Sequence, residues 1–294
     1  MVLAEHPDDQ ARGLRRMAVP QPVRVIAITG GKGGVGKTNV SANLAIALAN
    51  RRREVLLLDA DLGLANVDVL LGLHSSKDLS HLVSGDSTLD EILIEGPAGI
   101  KIIPAASGIA RMASLSAAEY AGLIRAFNEL SVPADFLLVD TAAGISPDVI
   151  MFARAAQDVI VVVCDEPASI TDAYALIKVL HREHGVERFH ILANMVRSEQ
   201  EGQELYRKLA TVSERFLDVV LQHLGTVPHD EDLRRSVQRQ AAVVEAFPGS
   251  RAARSFNQLA ARLCDWPIPS GASGHLEFFV ERLVRAEMGQ VSSG

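Results

Sequence analysis

The chain has 294 residues, 48% of them hydrophobic, enough to bury one large α/β core or two small ones. Its net charge of −7, from 29 Lys+Arg against 36 Asp+Glu, argues against a broad nonspecific grip on phosphate backbones, which needs clustered base. The 2 cysteines, Cys164 and Cys264, form no C-x-x-C pair, which argues against metal or dithiol chemistry and leaves them as structural thiols.

Taken in chain order, residues 1–20 form a short, polar arm with no apolar periodicity, expected to be flexible. A main domain follows over 21–266. An apolar run at 23–28 predicts a strand, a glycine-rich loop follows it, and 39–51 predicts a helix. Further apolar runs at 55–58, 100–103, 136–139, 159–164, 189–193 and 224–227 predict strands buried on both faces. Helical patterns fill the gaps at 116–130, 146–156, 169–184, 199–221, 230–240 and 250–264. The first of these opens with Ser116 and Glu119 at the spacing of a capping box. Alternating strands and helices predict right-handed crossovers and an α/β fold with a mostly parallel, twisted sheet covered by helices on both faces. No Pro/Gly/Ser linker interrupts it before 267–274, and 275–294 reads as an amphipathic helix and tail.

The loop Gly31-Lys32-Gly33-Gly34-Val35-Gly36-Lys37-Thr38 completes the pattern GxxxxGK[ST], with a strand before it and a helix beginning at Asn39. Its glycines let successive backbone N–H groups turn inward around phosphates, Lys37 adds a point charge at the β/γ oxygens, and the Thr38 hydroxyl can ligate Mg²⁺. The following helix aims its positive end at the same anion. Lys32 lies within the turn, where it cannot easily fold back on its own phosphates but could reach a nucleotide held by a second subunit. Ligand sites in such sheets lie at the carboxyl ends of strands. Asp59 and Asp61, Asp140 and Asn194 follow three further apolar runs, so a catalytic cluster is expected at that end. Asp140, preceded by Leu137-Leu138-Val139, has the position of a carboxylate that holds Mg²⁺ through water, with Asp59 assisting.

These residues carry a family resemblance. The GKGGVGKT loop with its extra lysine is similar to the deviant P-loop of the MinD/ParA class of ATPases, a branch of the SIMIBI-type P-loop NTPases. The runs 58–68 and 138–144 resemble the two switches of that class. The stretches 165–174 (DEPASITDAY) and 275–284 (HLEFFVERLV) resemble the FlhG/FleN group of flagellar-number regulators, and the likeness spans about 23–284. The resemblance implies an Mg²⁺-dependent ATPase that cycles between an ADP-bound monomer and an ATP-bound homodimer. It also implies roles: Lys32 crosses the dimer interface, Asp61 orients the attacking water, Gly144 senses the γ-phosphate, and Asn194 reads adenine. Val227 and Pro228 complete the adenine wall from the backbone. The partners implied are an FlhF-type GTPase, the flagellar transcription activator FleQ and the inner membrane surface. Direct DNA binding is not expected, although a ParA-type partition ATPase remains the alternative, which salt-dependent DNA retention would support. An iron–sulfur carrier of related type would need paired cysteines at a dimer interface.

The two ends carry the partner expectations. Residues 9–15 (DQARGLR) fit the DQAxxLR segment with which the FlhG group stimulates its GTPase partner, so Gln10 and Leu14 are the expected contacts. Over 275–288, Leu276, Phe279, Val280, Leu283 and Val284 fall on one side of a helical wheel and Phe278 falls off it. In MinD-like proteins such a helix is a nucleotide-gated membrane anchor. No charged-then-apolar leader and no apolar stretch of about 18 residues is present, so a cytoplasmic protein with reversible peripheral association with the inner membrane is expected.

Overall fold

The computed structural model describes residues 22–63, 66–106, 112, 115–267 and 277–281. The strands are β1 (Arg24–Gly30), β2 (Val55–Ala60), β3 (Ile94–Glu95), β4 (Lys101–Ile103), β5 (Phe136–Ala143), β6 (Asp158–Val163), β7 (Arg188–Val196) and β8 (Val220–Pro228). They make one sheet of 8 strands in the order β3-β4-β2-β5-β1-β6-β7-β8. Every pairing is parallel except β3 with β4, at one edge. Every residue of β1 and β2 is buried, which explains why they read as unbroken apolar runs rather than as alternating ones.

The helices are α1 (Lys37–Ala49), α2 (Val67–Leu71), α3 (Leu79–Val83), α4 (Leu89–Ile92), α5 (Ala117–Ala126), α6 (Pro147–Ala155), α7 (Pro167–His184), α8 (Glu199–Phe216), α9 (Glu231–Gln238), α10 (Val243–Ala246) and α11 (Arg251–Cys264). Alternate residues of each strand feed opposite layers. Ile26, Ile28 and Leu138 pack with α1, α10 and α11. Val25, Leu137 and Val139 pack with α5 and α6, while Ala27 and Val161 pack with α7 and α8. The Ser116 capping box forms as expected, with Glu119 reaching back to the Ser116 amide at 2.8 Å. Cys164 is buried and Cys264 half-buried, and both are free thiols.

Three expectations are corrected. The helix predicted over 199–221 stops at Phe216: Leu217 is already extended (φ −133°, ψ 145°), and Val220 pairs with Arg188. Strand β8 therefore starts at Val220, where Val219, Val220 and Leu221 favour a pleated surface. Short α2, α3 and α4 and the two-residue β3 have no counterpart in the sequence reading, because elements of that length show no period. The third correction concerns 275–288, of which 277–281 is described. Residues 278–279 form a turn with Phe279 at φ 52°, and helix begins only at Val280. Phe278, expected off the apolar side, is fully buried together with Phe279. Its ring meets Phe127 edge-on at 4.8 Å and stacks on Phe152 at 6.4 Å. The arm 1–20 with Gln10 and Leu14, most of the linker 267–274, and Leu276, Leu283 and Val284 lie outside the described residues.

Two further features shape the molecule. At the start of β1, Arg24 bridges to Asp158 at 2.5 Å and donates to the carbonyl of Pro267, so the chain enters and leaves the main domain at one place. At the free edge, side-chain donors occupy backbone carbonyls of β8: the Tyr206 hydroxyl takes Leu221 O at 2.8 Å and the Arg262 guanidinium takes Leu224 O.

Candidate nucleotide site

The glycine loop joins β1 to α1 at the carboxyl end of the sheet, as expected. Gly34 (φ 83°) and Gly36 (φ 89°) hold the left-handed turn that tips the loop into the helix. The back of the loop is pinned. A Cβ on Gly31 would stand 2.1 Å from the Asp172 carbonyl carbon, and one on Gly36 would stand 2.5 Å from Asn194 Nδ2. Its front is open, since Cβ atoms on Gly33 or Gly34 would meet nothing within 4 Å. The open front leads directly into the N-terminus of α1, the arrangement that receives an anion. Desolvation holds the Lys37 ammonium pKa below its ordinary value, and the charges of Asp140 and Asp61 oppose that shift.

Asp59 and Asp140 are direct neighbours across β2 and β5. Asp140 was expected to follow a strand ending at 139, but β5 continues through it to Ala143. Its Oδ1 lies 2.8 Å from the Ser41 hydroxyl, Thr38 also donates to it, and Oδ2 is buried without a partner. Burial pushes its pKa up to about 6, against the lowering hydrogen bonds of Thr38 and Ser41 and the charge of Lys37. Asp59 is pushed up to about 7, by burial first and by Asp140 second. Both Asp59 oxygens accept backbone N–H groups: Oδ1 from Asp61 at 3.2 Å, Oδ2 from Asn66 at 2.8 Å and Val67 at 3.0 Å. Asp59 therefore anchors the chain at Asp61 and the start of α2, a task beyond the magnesium role expected of it.

These residues fit a magnesium nucleotide. A buried carboxylate oxygen with no partner, beside a threonine hydroxyl and a lysine, suits a hard cation approached through water. When bound, Mg²⁺ neutralises the charge of the phosphate oxygens. Asn194 Nδ2 donates to Val35 O at 2.8 Å while Oδ1 is buried and unpartnered. Val227 pairs with Asn194 and Pro228 with Val196 on β8, so the two wall residues expected from sequence are adjacent to it. Gly144 (φ 94°) donates its amide to Gly30 O at 3.0 Å, linking the end of β5 to the start of the loop. Lys32 does not fold onto its own loop. Its Nζ pairs with Glu166 Oε2 of the same chain at 2.5 Å, and the side chain is 38% exposed.

Sequence reasoning missed Ser41, Glu166 and Met195. Ser41 stands one helical turn after Lys37, a spacing that could have flagged it. Glu166 follows β6, so the rule of strand carboxyl ends could have found it too. Nothing in the sequence marks Met195.

The profile of the CobQ/CobB/MinD/ParA nucleotide binding domain matches residues 26–243. The chain is 57% identical over 272 residues, 92% of its length and 97% of the relative's, to the antiactivator FleN of Pseudomonas aeruginosa. It is 36% identical over 82% of its length to the flagellum site-determining protein YlxH of Helicobacter pylori, of which it covers 81%. Among solved structures, the septum site-determining protein MinD complexed with Mg-ADP from Pyrococcus horikoshii OT3 superimposes with a TM-score of 0.69 at 27% identity, over 83% of this chain and 97% of that one. With the loop, the paired carboxylates and the strand order all in place, the chain belongs to the CobQ/CobB/MinD/ParA family and is a MinD-like, magnesium-dependent ATPase that uses ATP and yields ADP.

Proposed function

We propose that this ATPase is a dimerising switch that limits flagellar number and placement. The environment of Lys32 carries the reading. Lys37 is desolvated beside the charges of Asp140 and Asp61, whereas Lys32 stands on the rim, paired with the exposed Glu166. An ATP-bound partner subunit supplies the phosphates it reaches for, so ATP becomes part of the interface and hydrolysis removes it. Its pair with Glu166 is exposed, hence weak and screened, and exchanges readily. Within each site Lys37 and the loop amides hold the β/γ phosphates, and Asp140 with Thr38 holds Mg²⁺. Asp61 orients water, Gly144 senses the γ-phosphate, and Asn194 with the Val227 and Pro228 backbone frames the base. Hydrolysis of this kind is chiefly positioning and charge neutralisation.

The flagellar assignment rests on similarity to an antiactivator and to a flagellum site-determining protein. The partners that follow are a FleQ-type transcription activator and an FlhF-type GTPase, with the inner membrane surface meeting the C-terminal segment. Lys32→Ala should bind ATP as the parent does yet remain monomeric. Light scattering with ATP tests it, and a normal ATP-bound dimer of the variant would remove the cross-interface role.

A further inference from the structure

Apart from its first residue, β7 is buried along its length except at Met195, which is 43% exposed. Met195 is also backbone-strained, with φ 58°, a left-handed conformation that an L side chain adopts only at a cost. It occupies a bulge. Asn194 pairs with Val227 and Val196 with Pro228, so Met195 has no counterpart on β8. Bulges beside active sites re-aim side chains. This one lies where the Asn194 amide reaches Val35 O at 2.8 Å, leaving Oδ1 buried and unpaired. The Met195 thioether lies against the same loop, its Cε 3.2 Å from where a Cβ on Gly36 would stand.

Beside the phosphate-binding turn there are thus an unpaired acceptor and an exposed, polarisable methyl-sulfur group. The acceptor calls for an N–H donor, and the thioether for an apolar π face. A ligand that offers both, tied to phosphates in the loop, is a purine with an exocyclic amine at the edge facing Asn194. Adenine has one at that edge; guanine puts a carbonyl there. We propose that Met195 forms an apolar face of the base-binding part of the site, packing on the ring whose edge the family resemblance assigns to Asn194. The backbone strain is kept because it presents this side chain.

The strain also makes the test clean. Met195→Gly removes the side chain and relaxes the left-handed backbone, so the folded state should be as stable as the parent or more so. Titration with Mg-ADP should nevertheless show affinity lowered roughly three- to tenfold, the range of one sulfur–ring contact. Affinity for inorganic tripolyphosphate, which lacks the base, should not change. Met195→Leu should recover most of the ADP affinity, since an apolar face returns. The proposal is overturned if Met195→Gly binds ADP like the parent, or if ADP and tripolyphosphate weaken alike, which would show a damaged loop rather than a lost base contact.

Discussion

Asp59 and Asp140 are acids that the fold keeps from ionising at their ordinary pH. Their pKa values, about 7 and about 6, stand above the usual value near 3.9 for an unfolded aspartate. Between about pH 4 and 7 the folded chain therefore holds protons that the unfolded chain has released, so stability without nucleotide falls as pH rises through that window. Mg²⁺ needs the ionised carboxylate, so binding should recover this lost stability. The rise in Tm given by Mg-ADP should grow from pH 5.5 to 7.5. A rise independent of pH would mean that these carboxyls are not linked to the metal nucleotide. The phosphate loop and Asp140 were legible in sequence because their chemistry demands fixed residue types at fixed spacing. Asp59 was legible as a site residue, but its grip on the amides of Asp61, Asn66 and Val67 was not, since backbone donors have no letter. Met195 was invisible for a similar reason: its importance lies in a φ angle.

Among the elements, α6 links two places that the sequence presents as unrelated. It begins just after Gly144, the proposed γ-phosphate sensor, and ends at Ala155, whose carbonyl accepts the Phe278 amide at 3.4 Å. Phe152, on the same helix, stacks on Phe278. A shift of the Gly144 segment on ATP binding is therefore expected to reach the docked C-terminal segment along this helix of about 13 Å. With ATP, amide exchange at Phe278 and Glu281 should quicken, and pelleting with anionic vesicles should rise. Phe152→Ala, a truncation typically worth about 3–5 kcal/mol, should let the ADP form pellet as the parent does with ATP. Equal exchange and pelleting in both nucleotide states would reduce the contact to static packing. The apolar character of this segment was readable. The turn at 278–279 was not, because the wheel assumed a helix throughout and so set Phe278 outside the buried side.

At the scale of the whole molecule, alternation of apolar runs and helical patterns was enough to give the layered parallel sheet. Strand order and the β3 edge depend on pairings that leave no periodic trace. The nucleotide loop leaves one end of β1, while Arg24, at the other, holds Asp158 and the carbonyl of Pro267. The 7 residues of β1 separate these ends by roughly 20 Å. The arm and the linker therefore meet the body far from the phosphates. Deleting residues 1–17 should leave ATP turnover and ATP-dependent dimerisation within about twofold of the parent, an exposed change away from the core, while stimulation of an FlhF-type GTPase is lost. A peptide spanning 1–20 that stimulates the purified GTPase would support the arm as the active segment. Failure of both peptide and full-length protein would leave the transcription-facing role.

The last strand of the sheet has a bearing on what such a molecule can do at high local concentration. A parallel sheet that ended in bare carbonyls would invite the next copy to continue it, and copies gathered on a surface would zip into fibres. Tyr206 and Arg262 already occupy Leu221 and Leu224 on β8, and β3 at the far side is only 2 residues long. With two carbonyls taken on one border and the other border so short, the sheet edges offer crowded copies little to pair with, which favours the nucleotide-gated face proposed above as the place of self-association.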